Sequence, residues 1–339
     1  MANALSNTQI LKSIGLPATI ANEVATAQGD TYVAKANEVL SALVNKIVYQ
    51  RVEYMEFDNP FKKYDGFPVE YGDTIENIFV DTQLGEKFDK DATDPFKKTG
   101  AVVKSTYSHI NYEMQYPITI EDKLMKRCCL SEFGLMRLVD VIVSRLAMKS
   151  SVDEYLGTII MLNNKDIYAK GFEEIDVSKA TTDSEKYKIV AKTMGNVSDD
   201  MGLPSIDNNK MGVMNVTGKD RQLLIIKQTL LRSIDMDYLA GVFNLSKIDL
   251  LKNIIPVRSF KAVINTTSGE TITPTEKGDD IDFVILDERG FDNHVALQDG
   301  GSIYNPKGKY INYFLNLWKI ISYRYDFQAR AFKLKTVAA

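Results

Sequence analysis

The period of apolar positions changes several times along this chain, and each change marks an element. Between Thr31 and Met55, Val33, Ala36, Leu40, Leu43, Val44 and Ile47 fall three or four apart, the spacing of one helix face. Pro60, Gly66 and Pro68 then break the pattern. From Asp65 to Gly100 the stretch DGFPVEYGDTIENIFVDTQLGEKFDKDATDPFKKTG has too few apolar residues for a core of its own. Beyond it Ile110, Tyr112, Met114, Tyr116 and Ile118 alternate with Asn111, Glu113 and Gln115, a strand period. The expected element over 65–117 is a long polar hairpin arm with 110–118 as its return leg. A two-stranded hairpin alone in water is marginal, so such an arm needs another surface to lie on. A leg of about 25 residues reaches at most roughly 80 Å. A chain of 339 residues folds to a radius of gyration of about 20 Å, so an extended arm projects past the body.

After Pro117, Thr119-Ile120-Glu121-Asp122 has the form of a capping box, and a short helix is expected to run to about Cys129. Ser131 can cap a second helix reaching Leu162, with Leu135, Leu138, Val139, Ile142 and Leu146 in one stripe and Arg137, Asp140, Ser144, Arg145 and Lys149 elsewhere on the wheel. At the usual rise this helix is roughly 45 Å long, and no heptad seam persists over four repeats. Residues 180–290 read as mixed α+β. A helix is expected over 184–194, a short one over 237–243, and strands over 253–257 and 282–286. RQLLIIKQT (221–229) fits a buried strand or a helix, and its periodicity leaves both open. Residues 265–280 read as a polar surface loop. The aromatic tail from Tyr310 to Lys335 is β-prone, and residues 1–30 read as a small-residue segment broken at Gly15, Pro17 and Gly29. No internal repeat is visible.

The composition, 45% hydrophobic and 25% charged, suits a soluble protein with a sizeable core. The length suits two medium domains or one large interleaved one. A net charge of −4 argues against a dedicated nucleic-acid binder. Between Asp65 and Thr99 stand nine acids and four lysines. They read either as a solvated loop or as a contact strip for a basic patch on another subunit. MANALSNTQILKSIGLP does not read as a signal peptide, and no apolar run reaches the 18 or so residues of a membrane span. Cys128 and Cys129 are adjacent, build no disulfide framework and fit a reducing compartment.

Catalytic chemistry is thin. The chain has two histidines, His109 and His294. His109 reads as a structural residue within a polar strand, and His294 as one in a turn before a strand. GxxxxGK[ST], GxSxG and HExxH are all absent. Gly300-Gly301 reads as a turn. Asp279, Asp280 and Asp282 lack the register of a calcium loop, and a zinc site needs more partners than Cys128 and Cys129. The carboxylate pairs Glu173-Glu174 and Asp199-Asp200 read as surface features. The aromatics Tyr310, Tyr313, Phe314, Trp318, Tyr323, Tyr325 and Phe327 have only Lys319 and Arg324 among them, which favours a packed sheet over a base-stacking platform. No cofactor and no metal are expected.

The order of elements runs from an N-terminal helix through an acidic arm, a long helix and a mixed domain to a β-rich return. In this it resembles the major capsid protein of tailed bacteriophages, with the Hong Kong 97 fold. Three stretches carry the resemblance: NYEMQYPITIEDKLMKRCCLSEFGLMRLVDVIVSRLAMKSSVDEYL, VFNLSKIDLLKNIIPV, and DFVILDERGFDNHVALQDGGSIYNPKGKYINYFLNLWKIISYRYDFQARAF. The last is similar to head proteins of small podophages of Gram-positive hosts, where a Tyr-Asn-Pro-x-Gly turn precedes an aromatic strand ending near a Trp. The matching positions are Tyr304, Asn305, Pro306, Gly308 and Trp318.

The resemblance implies an α+β fold with an N-terminal arm and helix over 1–60 and an E-loop over 61–117. It implies a P domain over 118–180 and 289–325 with a spine helix at 131–162, and an A domain over 181–288 and 326–339. The implied role is to assemble, without catalysis, an icosahedral head enclosing double-stranded DNA. The implied partners are other copies of the chain in hexamers and pentamers, a separate scaffolding protein, a portal and the packaged DNA, with no membrane. Candidate inter-subunit contacts are Glu86, Lys87, Asp89, Lys90, Asp91, Asp94, Lys97 and Lys98, with covalent crosslinking through the lysines not expected. An encapsulin-like compartment is the alternative within the same fold, and a hydrolase with a carboxylate site is the alternative from another class.

Overall fold

The computed structural model describes residues 7–13, 15–49, 57–69, 74–81, 90, 100, 102–130, 134–178, 180, 182–234, 253–261, 264–265, 271–272 and 281–335. Two short helices, α1 (Asn7–Ser13) and α2 (Ile20–Thr26), precede α3 (Gly29–Tyr49). The glycines that looked like simple breaks are helix boundaries. Gly15 and Gly29 hold φ of 80° and 58°, a left-handed conformation open to glycine at little cost. Along the first turns of α3 the buried stripe is Tyr32, Ala36 and Val39.

Strands β1 (Thr74–Val80) and β2 (Val103–His109) pair antiparallel, with Glu76 opposite Tyr107 and Val80 opposite Val103. Strand β3 (Tyr112–Glu121) leads into α4 (Asp122–Leu130) and α5 (Gly134–Leu162), whose 29 residues make a rod of about 44 Å. Next come β4 (Phe172–Asp176), α6 (Asp183–Met201), β5 (Gln222–Lys227), α7 (Gln228–Ser233), β6 (Ile254–Val257) and the two-residue strands β7 (Ile264–Asn265) and β8 (Thr271–Ile272). The chain closes with β9 (Phe283–Asp287), β10 (Phe291–Asn305), β11 (Tyr310–Tyr323) and β12 (Ala329–Lys335).

Besides the two-stranded pairs β1-β2 and β7-β8, the described elements build two larger sheets around the long helix. In the first the order is β10-β11-β3, all antiparallel. Tyr112, Tyr116 and Ile120 of β3 and Ile311, Tyr313, Leu315 and Leu317 of β11 pack on Ile10, Leu11, Ile20, Val24 and Met125 from α1, α2 and α4. The second sheet runs β4-β12-β9-β5-β6, with parallel pairs at its two ends and antiparallel pairs inside. Both of its faces are covered, so β9 is buried at every position. One face, with Leu224, Ile226, Phe283, Ile285 and Phe332, packs on Val190, Met194, Val197 and Met201 of α6. The other, with Leu223, Ile225, Val284, Leu286 and Ala331, packs on Ile159 and Leu162 at the end of α5. Each buried Val, Leu, Ile, Phe or Met among them contributes about 1.5–3 kcal/mol relative to exposure. Helix α5 thus joins the two layers, with Leu138 in the first core and Leu162 in the second.

Several expectations change. The alternation at 110–118 is real, but β3 is not the return leg of the arm. It pairs with β11, Tyr116 opposite Leu315, and the partner of β1 is β2. Period-two patterning fixes which face is buried, not which strand lies alongside. The box at Thr119–Asp122 caps nothing: Thr119 is still in the ladder opposite Asn312, and its hydroxyl donates to Asn312 Oδ1 at 2.7 Å. The capping box is instead at Thr182 and Glu185, where the Glu185 amide donates to Thr182 Oγ1 and the Thr182 amide to the Glu185 carboxylate. It starts α6, which runs seven residues past the expected end at 194. Gly300 and Gly301 are no turn. They lie in β10 opposite Leu315 and Phe314. His294 likewise sits within β10 rather than before a strand. The open stretch 221–229 is strand β5 followed directly by α7. The expected helix at 237–243 lies outside the described residues, as does most of 265–280.

The Tyr-Asn-Pro-x-Gly segment is the turn joining β10 to β11. Asn305 Oδ1 accepts from the amides of Lys307 and Gly308, and its side-chain amide donates to Tyr310 Oη at 2.7 Å. A Cβ on Gly308 would lie 2.2 Å from Tyr310 Cε1, so a larger residue there would have to displace that ring. The carboxylate pairs are structural partners. Arg330 on β12 holds both Glu173 oxygens at 2.7 and 2.6 Å and reaches Asp200 at 3.1 Å, joining β12, β4 and α6.

Candidate assembly arm and its anchor

The segment leading into the arm is fixed by aromatic packing. Phe61 is fully buried, stacks on Tyr155 of α5 at 5.7 Å, and sits beside Phe291. Tyr64 stacks on Phe291 at 4.9 Å. The chain then runs along β10: Asp65 bridges Asn293, and the amides of Gly66 and Val69 donate to the carbonyls of Asn293 and Val295.

The β1–β2 hairpin that follows has two unlike faces, since successive side chains point to opposite sides. One face is anchored on the subunit itself. Phe79 is buried beneath the Arg324 guanidinium, 5.4 Å from the ring centre, and Lys104 Nζ donates to the Met211 carbonyl at 2.7 Å. Asn77 Nδ2 and Ser108 Oγ donate to Asp292 Oδ2 at 2.7 and 3.2 Å. The other face carries Ile78, Val80, Val103 and Tyr107, each 58–61% exposed. Tyr107 donates to Glu76 across the strands. Behind β2 a cleft of about 270 Å³ opens toward the end of α5 and β11, lined by Thr106, Ser108, Asn111, Met161 and Asn164 among others.

Asp292 is the centre of the anchor. Burial pushes its carboxyl pKa up, but hydrogen bonds from His294, Asn77 and Ser108 outweigh that and hold it below the usual 3.8. His294 shifts the other way. Its hydrogen bond to Asp292 raises the imidazole pKa above 6.5 against the opposing effect of burial, helped by the Phe67 carbonyl. Lys319 on β11 is buried between Glu154 of α5 at 2.8 Å and Asp65 at 3.1 Å.

Of the contact residues expected from sequence, Lys90 is exposed, while Glu86, Lys87, Asp89, Asp91, Asp94, Lys97 and Lys98 lie outside the described residues. The structure adds the apolar face of the hairpin and the Asp292 anchor. The first was only partly legible, as the short apolar run Ile78-Phe79-Val80, because no alternation in TIENIFV says which of these residues faces outward. The second was not, because Asn77 and Asp292 stand 215 positions apart. His109 has a structural role, its Nδ1 lying 2.9 Å from Thr74 Oγ1 across the hairpin. Cys128 and Cys129 are buried in α4. Among the described residues, no group of three or more His, Cys, Asp or Glu is placed to hold a metal, and no helix is long and apolar enough to cross a membrane.

Mixed sheets on a long joining helix, with a hairpin arm set beside them, are the fold of phage capsid subunits of the Hong Kong 97-like kind. A chain in the capsid of Staphylococcus phage Andhra superposes with a TM-score of 0.61 at 9% identity, over 85% of this chain and 88% of that one. One in the mature capsid of bacteriophage PhiM1 superposes with a TM-score of 0.56 at 8% identity, over 84% and 90%. The family model described as Phi29-like phage major capsid protein matches residues 9–333, and the chain belongs to that family. It is 25% identical to the major capsid protein of Bacillus phage PZA, over 98% of this chain and 72% of that protein. It is 26% identical to that of Streptococcus phage Cp-1, over 86% and 80%. The role is therefore structural, that of a shell-forming component of the virion, and the resemblance to major capsid proteins of small podophages of Gram-positive hosts holds.

Proposed function

We propose that the hairpin within 61–117 is an E-loop that each subunit lays across a neighbour's spine helix (131–162), so that copies close into hexamers and pentamers of an icosahedral shell. The observation that carries this reading is the apolar outer face of the hairpin. Ile78, Val80, Val103 and Tyr107 are exposed while the opposite face is fixed to the subunit's own body. Residues 118–180 and 289–325 then act as the P domain, 181–288 and 326–339 as the A domain, and 1–60 as an N-terminal arm. Many modest contacts, repeated by closed symmetry, hold the shell together, and no reaction is catalysed. A net charge of −4 suits a container for double-stranded DNA, since a strongly basic lining would grip phosphate in a salt-dependent way. A separate scaffolding protein and a portal complete the assembly.

Deleting Leu84–Gly100 tests the reading. The variant is expected to stay folded by circular dichroism and to form no closed particles by negative-stain microscopy. Normal closed shells from the deletion variant would overturn it.

A further inference from the structure

We propose that His294 and Asp292 form a protonation-controlled latch that holds the arm hairpin against the body of its own subunit. The geometry is specific. His294 Nδ1 lies 2.7 Å from the Phe67 carbonyl oxygen, and Nε2 lies 2.9 Å from Asp292 Oδ1. Phe67 belongs to the segment leading into the arm. The other Asp292 oxygen accepts from Asn77 on β1 and Ser108 on β2. One buried carboxylate and one imidazole therefore join the lead-in segment and both strands of the hairpin to β10. Gly66 shows how closely the chain passes the ring: a Cβ there would lie 2.4 Å from His294 Cε1.

Both ring nitrogens face acceptors. A carbonyl oxygen never donates, and Asp292 already takes two donors on its second oxygen, as a carboxylate does. Only the doubly protonated imidazolium satisfies both contacts. The neutral ring carries one N–H, so one nitrogen then presents a lone pair to an oxygen. Among the described residues the charged groups around the ring are few. Asp292 is on its own strand. Asp65 lies in the lead-in segment, paired with Lys319 of β11, which also holds Glu154 of α5. From β1 and β2 come only the uncharged Asn77 and Ser108, and from β11 Ser322, whose hydroxyl donates to the Asp292 carbonyl.

The sign follows from the two shifts. The imidazole pKa is raised, so the stabilisation it brings is fully present below 6.5 and is lost as pH climbs through the raised value. The carboxyl pKa is lowered, so its contribution is lost only as pH falls through a value below 3.8. The latch is at full strength between the ordinary carboxyl value of 3.8 and the ordinary imidazole value of 6.5, and its hold on the arm weakens as pH rises past the raised imidazole value. The latch is a property of the single chain and holds whether or not the arm reaches a neighbour.

Hydrogen exchange on the full-length, unassembled chain tests it, followed for peptides spanning 74–80 and 103–109 and corrected for intrinsic rates. Protection is expected to fall about tenfold as pH rises through the His294 titration, the size of one charge-assisted hydrogen bond. In His294→Gln the pH dependence should vanish. Imidazole NMR of the wild-type chain gives an independent reading, since the sequence has two histidines and His109→Gln assigns the pair. The His294 ring should carry both N–H protons at pH 6.5. A neutral His294 ring there would overturn the latch. So would hairpin protection that ignores pH, or the same loss in His294→Gln.

Discussion

The Lys319 ammonium lies 2.8 Å from a Glu154 carboxylate oxygen, a buried ion pair that ties β11 to the long helix α5. Asp65 completes the triad at 3.1 Å, so the start of the arm, the middle strand of a sheet and the helix joining the two layers meet at one nitrogen. Replacing Lys319 with Met leaves two carboxylates facing each other with no cation between them. The expected loss is about 3–5 kcal/mol, as for other broken buried pairs, measured by urea unfolding of the unassembled subunit. Burial alone lowers the Lys319 pKa, but Glu154 and Asp65 outweigh it and raise it above 10.5. The stabilisation linked to the Lys319 shift is therefore present below 10.5 and lost as pH rises through the raised value.

Arg330 makes a two-point contact with Glu173 and a third with Asp200, and a lysine cannot reproduce it. Arg330→Lys is expected to cost about 1.5–3 kcal/mol, the range for hydrogen bonds to charged groups. Thermal unfolding checks this, and Arg330→Lys combined with Glu173→Gln should lose little more than Arg330→Lys alone.

Cys129 is buried in α4, and burial pushes its thiol up to about 12, with Cys128 adding to the effect. At mildly alkaline pH the native chain should react only slowly with a thiol-specific reagent. Both thiols should be titrated at once after unfolding. Rapid labelling of the native chain would place α4 outside the core described here.

Gly308 sits under the Tyr310 ring in the β10–β11 turn, where an added Cβ would lie 2.2 Å from Cε1. Gly308→Ala is expected to cost about 1–3 kcal/mol, the range for forced overpacking, read by thermal unfolding. Because this turn sets the register between Tyr304 and Ile311, cross-strand contacts observed by NMR should weaken first at that end of the hairpin.

The long helix was legible because its pattern is local. Helical spacing over residues 131–162 sets its length, and the helix described runs from Gly134 to Leu162. Strands β6, β9 and β11 were legible for a like reason, as short apolar or aromatic runs between turn signals. The arm was only half legible. Its polarity showed that it could not be a core, but the assignment of 110–118 to it failed, since alternation is the same in an arm and in a body sheet. The helices α1 and α2, with seven residues each, are too short for a stripe to stand out. They are held in place by the β3–β11 sheet.

By itself the sequence determined the long helices, the shorter apolar and aromatic strands and their order, and through three stretches the family to which they belong. These are carried by neighbouring residues, whose spacing decides which side of a helix or strand is apolar. Tertiary structure alone decided the partners. β3 joins β11, β1 joins β2, Lys319 meets Glu154, and Asp292 gathers Asn77, Ser108 and His294. Such pairings span tens to hundreds of positions, and a buried charge finds its partner only when packing brings the two together and removes the water between them.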